Sequence, residues 1–129
     1  MKNIVESVKS ILMEYNQKSF EMDGYDFWND HIKHVFKHSH DLAIKRGGDI
    51  EVCELAALFH DMAMVANFGP RAEHEQYGAK MAHSILTELN YPKDKMELVE
   101  NYAYTDHVMI IKKCNSFGNI YLPLKISSV

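Results

Sequence analysis

The sequence predicts an all-α fold, a bundle of about five helices followed by an irregular tail. Apolar residues recur three and four positions apart along most of the chain, and glycine, asparagine or proline interrupts them at intervals. Residues 112–129 lose this period and contain Gly118, Pro123 and β-branched residues, which is typical of a loose or strand-like tail. With 129 residues, 47% of them hydrophobic, the chain is expected to form a single domain over residues 1–129.

Composition and charge exclude several classes of function. The formal net charge is −4 at pH 7, so a surface that binds a nucleic-acid polymer is not expected. The sequence has no apolar run long enough to span a membrane, and MKNIVESVKS lacks the apolar core of a signal peptide. These features predict a cytoplasmic protein without a membrane partner, in which Cys53 and Cys114 are free thiols.

The first predicted helix covers residues 3–18. Ile4, Val8 and Leu12 fall on one face of it, and charged residues fall on the other. This amphipathic helix is expected to cover the core, and it carries no group whose chemistry requires a function. The polar, glycine-containing residues 19–25 indicate a loop.

The second predicted helix, residues 27–46, begins after a capping residue, Asp26. His31 shares a face of this helix with Val35 and Ser39, so its side chain is expected to point inward. Three further histidines are assigned to a solvated or boundary face: His34, His38 and His40.

The third predicted helix, residues 50–62, follows a Gly47-Gly48 break and a capping Asp49. His60 continues its apolar stripe one turn beyond Ala56 and is therefore expected to face inward. With Asp61 beside it, an imidazole nitrogen and a carboxylate oxygen can reach one divalent metal ion. A buried histidine that only hydrogen-bonds to its surroundings is the commoner case, so the pair alone is weak evidence.

The fourth and fifth predicted helices each place one more histidine on an apolar face. His74 begins the helix over residues 73–89, and His107 ends the apolar stripe of the helix over residues 93–108. Metal sites in helical bundles are built from inward side chains of this kind. The candidate metal ligands are therefore the following: His31, His60, Asp61, His74 and His107.

The loop over residues 65–73 contains Arg71, the arginine closest in sequence to these histidines. A guanidinium group can hold a phosphate at two points, although a surface arginine without a function is more common. Arg71 is therefore a candidate for binding a substrate phosphate.

The order of these features resembles the HD superfamily of metal-dependent phosphohydrolases over about residues 27–107. The match consists of a histidine with a valine four positions later, then Leu42-Ala43, Gly47 and the run LAALFHD. The resemblance implies hydrolysis of a phosphate ester, a nucleotide or a small phosphorylated metabolite. It also implies a divalent Fe, Mn, Co, Ni or Zn ion, or Mg, that lowers the pKa of a water molecule which Asp61 orients or deprotonates.

The sequence departs from the family pattern in two places. Residues 62–64, Met-Ala-Met, replace the glycine and lysine that often follow the His-Asp pair, and the tail lacks the aspartate that closes the family's site. Asp106 is a poor substitute because it neighbours the inward His107. A non-catalytic HD module that binds metal, nucleotide or a partner therefore stays open as the alternative, and a purely structural bundle is the less favoured reading. The sequence does not predict the substrate or the oligomeric state.

Overall fold

The computed structural model describes residues 3–104, apart from the side chain of Arg71. These residues form helices and no strand, which confirms the all-α prediction. No helix in this part of the chain is long and apolar enough to cross a membrane. The helices are α1 (Ile4–Asp23), α2 (Lys33–Arg46), α3 (Ile50–Phe59), α4 (Met62–Val65), α5 (His74–Glu88) and α6 (Lys93–Ala103), with a π-helical turn at Trp28–Ile32 and a 3-10 turn at Arg71–Glu73.

Helix α1 is longer than the sequence predicted. It continues to Asp23 and stops where Gly24 adopts a left-handed backbone conformation, with φ of 76°, and donates its N–H to the Phe20 carbonyl. The helix continues because Asn16 and Ser19 extend its buried face beyond Leu12. The prediction of a loop at residues 19–25 was therefore wrong for its first five residues.

Three predicted capping residues, Asp26, Gly47 and Asp49, are confirmed. The Asp26 carboxylate accepts the Asn29 backbone N–H at 3.1 Å, and the Asp49 carboxylate accepts the Val52 N–H at 3.0 Å. Gly47 ends α2 in the left-handed conformation, with φ of 76°. These caps determine where each helix starts and stops, and so which face of it meets the core.

Helix α3 lies at the centre of the fold, in contact with α1, α2, α5 and α6. Seven of its ten residues are buried. It ends at Phe59, earlier than predicted, because the chain turns at the following two residues and starts the short helix α4, which the sequence pattern did not reveal. Cys53, buried in α3, is disulfide-bonded, so the expectation of a free thiol there was wrong.

Helix α5 approaches the end of α3 closely because residue 78 is a glycine. A Cβ atom at Gly78 would lie only 2.7 Å from the Phe59 carbonyl oxygen and 3.3 Å from the carbonyl oxygen of His60. Further along α5, Leu86 is buried, whereas Leu89, just beyond the end of the helix, is 38% exposed. The absence of a side chain at Gly78 thus brings the start of α5 to the carboxyl end of α3.

Four polar side chains connect helix α6 and the residue before it to the amino end of α3. We call them the α3 N-terminal cluster: Asp49, Glu51, Tyr91 and Lys95. The Tyr91 hydroxyl donates to Glu51 at 2.6 Å, and the Lys95 ammonium lies 3.1 Å from Glu51 and 3.4 Å from Asp49. Burial and the hydrogen bond to Glu51 raise the pKa of Tyr91, so the phenol stays protonated and keeps donating.

Candidate metal centre

The turn between α3 and α4 presents two adjacent side chains to the same space. His60 keeps helical backbone angles, whereas Asp61 leaves them, with φ of −118° and ψ of 10°. Because the helical rotation is interrupted between them, the imidazole and the carboxylate need not point 100° apart. His60 is 1% exposed and Asp61 6%, so both lie in the protein interior.

The imidazole of His60 is oriented by the backbone. Its Nδ1 lies 2.7 Å from the Ala57 carbonyl oxygen, which can only accept, so Nδ1 carries the proton and donates. In the neutral ring, Nε2 then presents a lone pair, and it lies 3.0 Å from Oδ2 of Asp61, a second acceptor. Two acceptors at this distance, Nε2 of His60 and Oδ2 of Asp61, require a proton or a metal ion between them. Histidines that bind a metal through one ring nitrogen typically donate a hydrogen bond from the other, as Nδ1 of His60 does.

His31 completes a small triangle of donor atoms. Its Nε2 lies 2.6 Å from Asp61 Oδ2 and 3.3 Å from His60 Nε2. The three residues are the group among residues 3–104 whose ligand atoms lie within 4.8 Å of one another. A point just off the plane of this triangle is about 2.0–2.2 Å from all three atoms, the usual distance from a divalent metal to nitrogen or oxygen ligands. Two imidazoles and one carboxylate on one face of an ion suit Fe and related transition metals.

The position of His31 depends on a buried amide that the sequence reasoning missed. Asn16, in α1, accepts the Trp28 N–H at 3.1 Å and donates to Asp26 at 3.0 Å, and so fixes the start of the π-helical turn that carries His31. The available signal was its spacing, because Asn16 follows Leu12 by four residues and therefore lies on the apolar stripe.

His74, at the start of α5, approaches the other oxygen of the same carboxylate. Its Nε2 lies 3.2 Å from Asp61 Oδ1, and its side chain is partly exposed. His74 is not one of the three atoms of the triangle. The close approach of α5 at Gly78, one turn further on, is what brings this imidazole to the rim of the site.

The charge state of Asp61 follows from its neighbours. Burial acts to raise the pKa of this carboxyl, but the hydrogen bond with His60 and the attraction of His60, His31 and His74 in their protonated forms outweigh it and lower the pKa to about 2. Asp61 is therefore a carboxylate at neutral pH, the protonation state that binds metals.

Two of the predicted site residues, His107 and the side chain of Arg71, lie outside the described part of the chain. Asp106 does so too. The backbone of Arg71 begins the 3-10 turn that leads directly into His74.

The remaining histidines lie away from the triangle, as the sequence predicted. His34 and His38 are exposed, while His40 pairs with Glu54. His83 is largely exposed and lies 2.8 Å from Glu100.

The family profile described as HD domain matches residues 29–121, which is most of the chain and includes all five candidate ligands. No curated protein and no solved structure matches the chain at a significant level.

Proposed function

Because the chain belongs to the HD domain family, a superfamily of metal-dependent phosphohydrolases, we propose that it hydrolyses a phosphate ester, a nucleotide or a small phosphorylated metabolite. The observation that carries the proposal is the triangle of His31, His60 and Asp61. All three donor atoms lie within 4.8 Å of one another at the end of a buried helix. A structural histidine would need only one partner, whereas these imidazoles converge on one oxygen.

The proposed first ligands are the two imidazole Nε2 atoms and Oδ2 of Asp61, with His74 and His107 as further ligands. Imidazoles with one carboxylate favour Fe, Mn, Co, Ni or Zn, and Mg is a possible substitute. When bound, a divalent ion supplies Lewis acidity toward a phosphoryl oxygen and acidifies water. His60 contributes a preset orientation, since its Nδ1 is held by the Ala57 carbonyl.

Asp61 has a second proposed role. Its two oxygens face different imidazoles, Oδ2 toward His31 and His60 and Oδ1 toward His74. As an ionised carboxylate it can accept a hydrogen bond from the attacking water and so orient it or take its proton. Arg71, which precedes His74 by three residues, is proposed to bind the substrate phosphate at two points.

The test is metal analysis combined with an activity assay on the full chain. Loading with Mn, Co, Ni, Fe or Zn followed by removal of free metal should leave bound ion, and chelation should abolish any hydrolysis of phosphomonoesters. Less than about a tenth of an equivalent of metal in folded protein would contradict the proposed metal site. We expect turnover on generic phosphomonoesters to lie below ordinary enzyme rates of roughly 1–1000 per second.

The alternative, a non-catalytic HD module, is favoured by one specific observation. Residues 62–64, Met-Ala-Met, stand where the family pattern often has a glycine and a lysine after the His-Asp pair, so the lysine that could bind a phosphate is missing there. Stoichiometric metal with no turnover of any phosphate ester, across all the metals tested, would support the module over the hydrolase.

A further inference from the structure

The chain reaches the start of α5 through a short loop, residues 69–74, which we call the His74 loop. It begins at Gly69, passes through the 3-10 turn at Arg71–Glu73 and ends at His74, whose Nε2 lies 3.2 Å from Oδ1 of Asp61. Within the described part of the chain, no side chain caps the start of α5 by a hydrogen bond. The position of His74 therefore depends on other contacts of the loop.

Dense packing does not fix the side chain of His74. This side chain is 27% exposed and borders a small cavity of about 40 Å³. Residues 67–70 line the same cavity together with Ala63 and Met64, so the loop and the imidazole face one space. A cavity of this size can hold water, and an imidazole beside it is less restrained than one packed on all sides. The path of the loop thus decides where the imidazole lies.

Tyr77, in the first turn of α5, packs against the beginning of the His74 loop. A Cβ atom at Gly69 would lie 2.6 Å from Cγ and Cδ2 of Tyr77, so the ring occupies the space that a side chain at residue 69 would need. Phe68 contacts the same ring edge to face, with centroids 5.4 Å apart and an interplanar angle of 85°. The ammonium group of Lys80 lies 4.7 Å from the ring centroid. The ring of Tyr77 is therefore held between the loop and its own helix.

The contact between Gly69 and Tyr77 joins the two ends of a segment that contains His74. Residues 70–76 lie between these ends. Short segments whose ends are close and whose own side chains pack inside them are compact. The next residue, Gly78, packs on the end of α3. Gly78 thus sets the position of α5 on the core, whereas Tyr77 sets the position of the loop on α5.

We infer that Tyr77 is a positioning residue of the candidate metal centre: its ring holds the His74 loop against α5 and so keeps the His74 imidazole at Oδ1 of Asp61. The inference rests on the proposed metal chemistry and adds to it a residue that acts only through His74. The contacts of Tyr77 with Gly69, Phe68 and Lys80 are made by its ring. Phenylalanine should therefore replace Tyr77, and alanine should not.

The first experiment observes His74 in the metal-free full chain by NMR. The Cε1–H resonance of His74, assigned from its disappearance in His74→Ala, reports the surroundings of the imidazole. We expect Tyr77→Ala to shift or broaden this resonance and Tyr77→Phe to leave it near its wild-type position. Tyr91→Ala is the control, since it truncates another half-buried tyrosine, at the amino end of α3. It should lower stability and leave the His74 resonance unchanged.

Gly69→Ala disturbs the same contact while keeping the ring. The added methyl group would lie 2.6 Å from the Tyr77 ring, so the loop has to move. Gly24→Ala is the matched control, because Gly24 also has a positive φ, 76° against 80° for Gly69, but has no atom within 4 Å of the place of its Cβ. We expect Gly69→Ala to change the His74 resonance and Gly24→Ala to leave it unchanged.

These two glycine variants also decide the question if Tyr77→Ala does not fold. A change of the His74 resonance in Tyr77→Ala that Gly69→Ala does not reproduce would come from loss of the magnetic effect of the ring alone. That result would contradict the inference.

The second experiment titrates the same proteins with Co²⁺ and follows the visible absorption of the bound ion. Tyr77→Ala and His74→Ala should each lower the Co²⁺ affinity by about tenfold, the size of loss that follows removal of a residue that supports a metal ligand. The double variant should bind no more weakly than His74→Ala, because Tyr77 acts through His74. Additive losses in the double variant, or a loss in Tyr91→Ala as large as that in Tyr77→Ala, would overturn the inference.

The two proposals fail separately. A wild-type protein that takes up no Co²⁺, but whose His74 resonance depends on Tyr77 and Gly69, would contradict the metal centre and support the positioning role. Uptake of Co²⁺ by the wild type, with a His74 resonance that neither substitution changes, would overturn the positioning role alone.

Discussion

The two ends of α3 carry buried or half-buried carboxylates in opposite surroundings. At the amino end, Glu51 receives a hydroxyl hydrogen from Tyr91 and faces the ammonium of Lys95. At the carboxyl end, the partners that the Asp61 carboxylate has among the described residues are imidazoles. One end therefore joins acceptors to permanent donors, and the other joins an acceptor to groups that donate only when protonated.

This difference separates a structural contact from a binding site. Tyr91 and Lys95 keep their protons at neutral pH, so the α3 N-terminal cluster is complete without any further ion. The His60 ring, whose Nδ1 is committed to a carbonyl, brings a lone pair to Asp61 unless a proton or cation intervenes. Substitutions at the amino end should change stability alone, whereas those at the carboxyl end should change metal binding.

The largest expected effect is loss of the metal. His60→Ala and Asp61→Ala each remove one proposed metal ligand. We expect metal affinity to fall by at least about 10–100-fold, because mutation of a residue that only hydrogen-bonds to a metal ligand already causes a loss of that size. Equilibrium dialysis with metal analysis measures it. His38→Ala and His83→Ala are controls that should keep the metal, and equal losses in all four proteins would contradict the assignment of the inward face.

Gly78→Ala tests the contact between α5 and the end of α3. The added methyl group would lie 2.7 Å from the Phe59 carbonyl oxygen, so the helices must move apart. We expect a loss of about 3 kcal/mol in the free energy of unfolding, typical of overpacking. Denaturant titration measures it, and metal affinity should fall as well because His74 moves with α5. Wild-type stability would mean that α5 does not depend on this approach.

Asn16→Ala tests the support of His31 from α1. The buried Trp28 N–H would lose its acceptor, which should cost about 2 kcal/mol in unfolding free energy. Metal affinity should also decrease, because the π-helical turn would be less well fixed. Gln17→Ala, which removes an exposed amide of the same helix, is the control and should leave both unchanged.

Tyr91→Phe gives the smallest effect and tests the other end of α3. Removing the hydroxyl that donates to Glu51 should lower the unfolding free energy by about 1 kcal/mol. Metal affinity should stay at the wild-type value. A change in metal affinity as large as that of Asn16→Ala would show that the two ends of α3 are coupled and that the amino end does not act on stability alone.

Much of the fold followed from local rules of the sequence. Asp26, Gly47 and Asp49 fixed helix ends through short-range capping, which a sequence displays directly. His60 was assigned inward by its spacing from Ala56, and it is buried. Such features depend on residues within about one turn of each other, so periodicity is enough to find them.

The features that the sequence did not reveal depend on distant partners. Helix α4 is a single turn that begins at Met62, too short to show a period. Helix α1 continues to Asp23 because Asn16 and Ser19 extend its buried face, and whether these polar residues are buried depends on the other elements of the fold. The spacing of Asn16 from Leu12 indicates only that it faces the core, whereas its role depends on Asp26 and Trp28, which lie outside α1. Tertiary packing decides such positions.

The π-helical turn at Trp28–Ile32 has a consequence for how this chain compares with its relatives. A π turn is an α-helix widened by one residue, so the positions before it are rotated by about 100° relative to those after it. Phe27 and Val35 are eight positions apart, and both are buried because the extra residue of the π turn brings them to the same side of the helix. In an alignment, the turn would read as a one-residue insertion next to His31. Relatives without that insertion should carry the aromatic residue that corresponds to Phe27 one position nearer to the histidine.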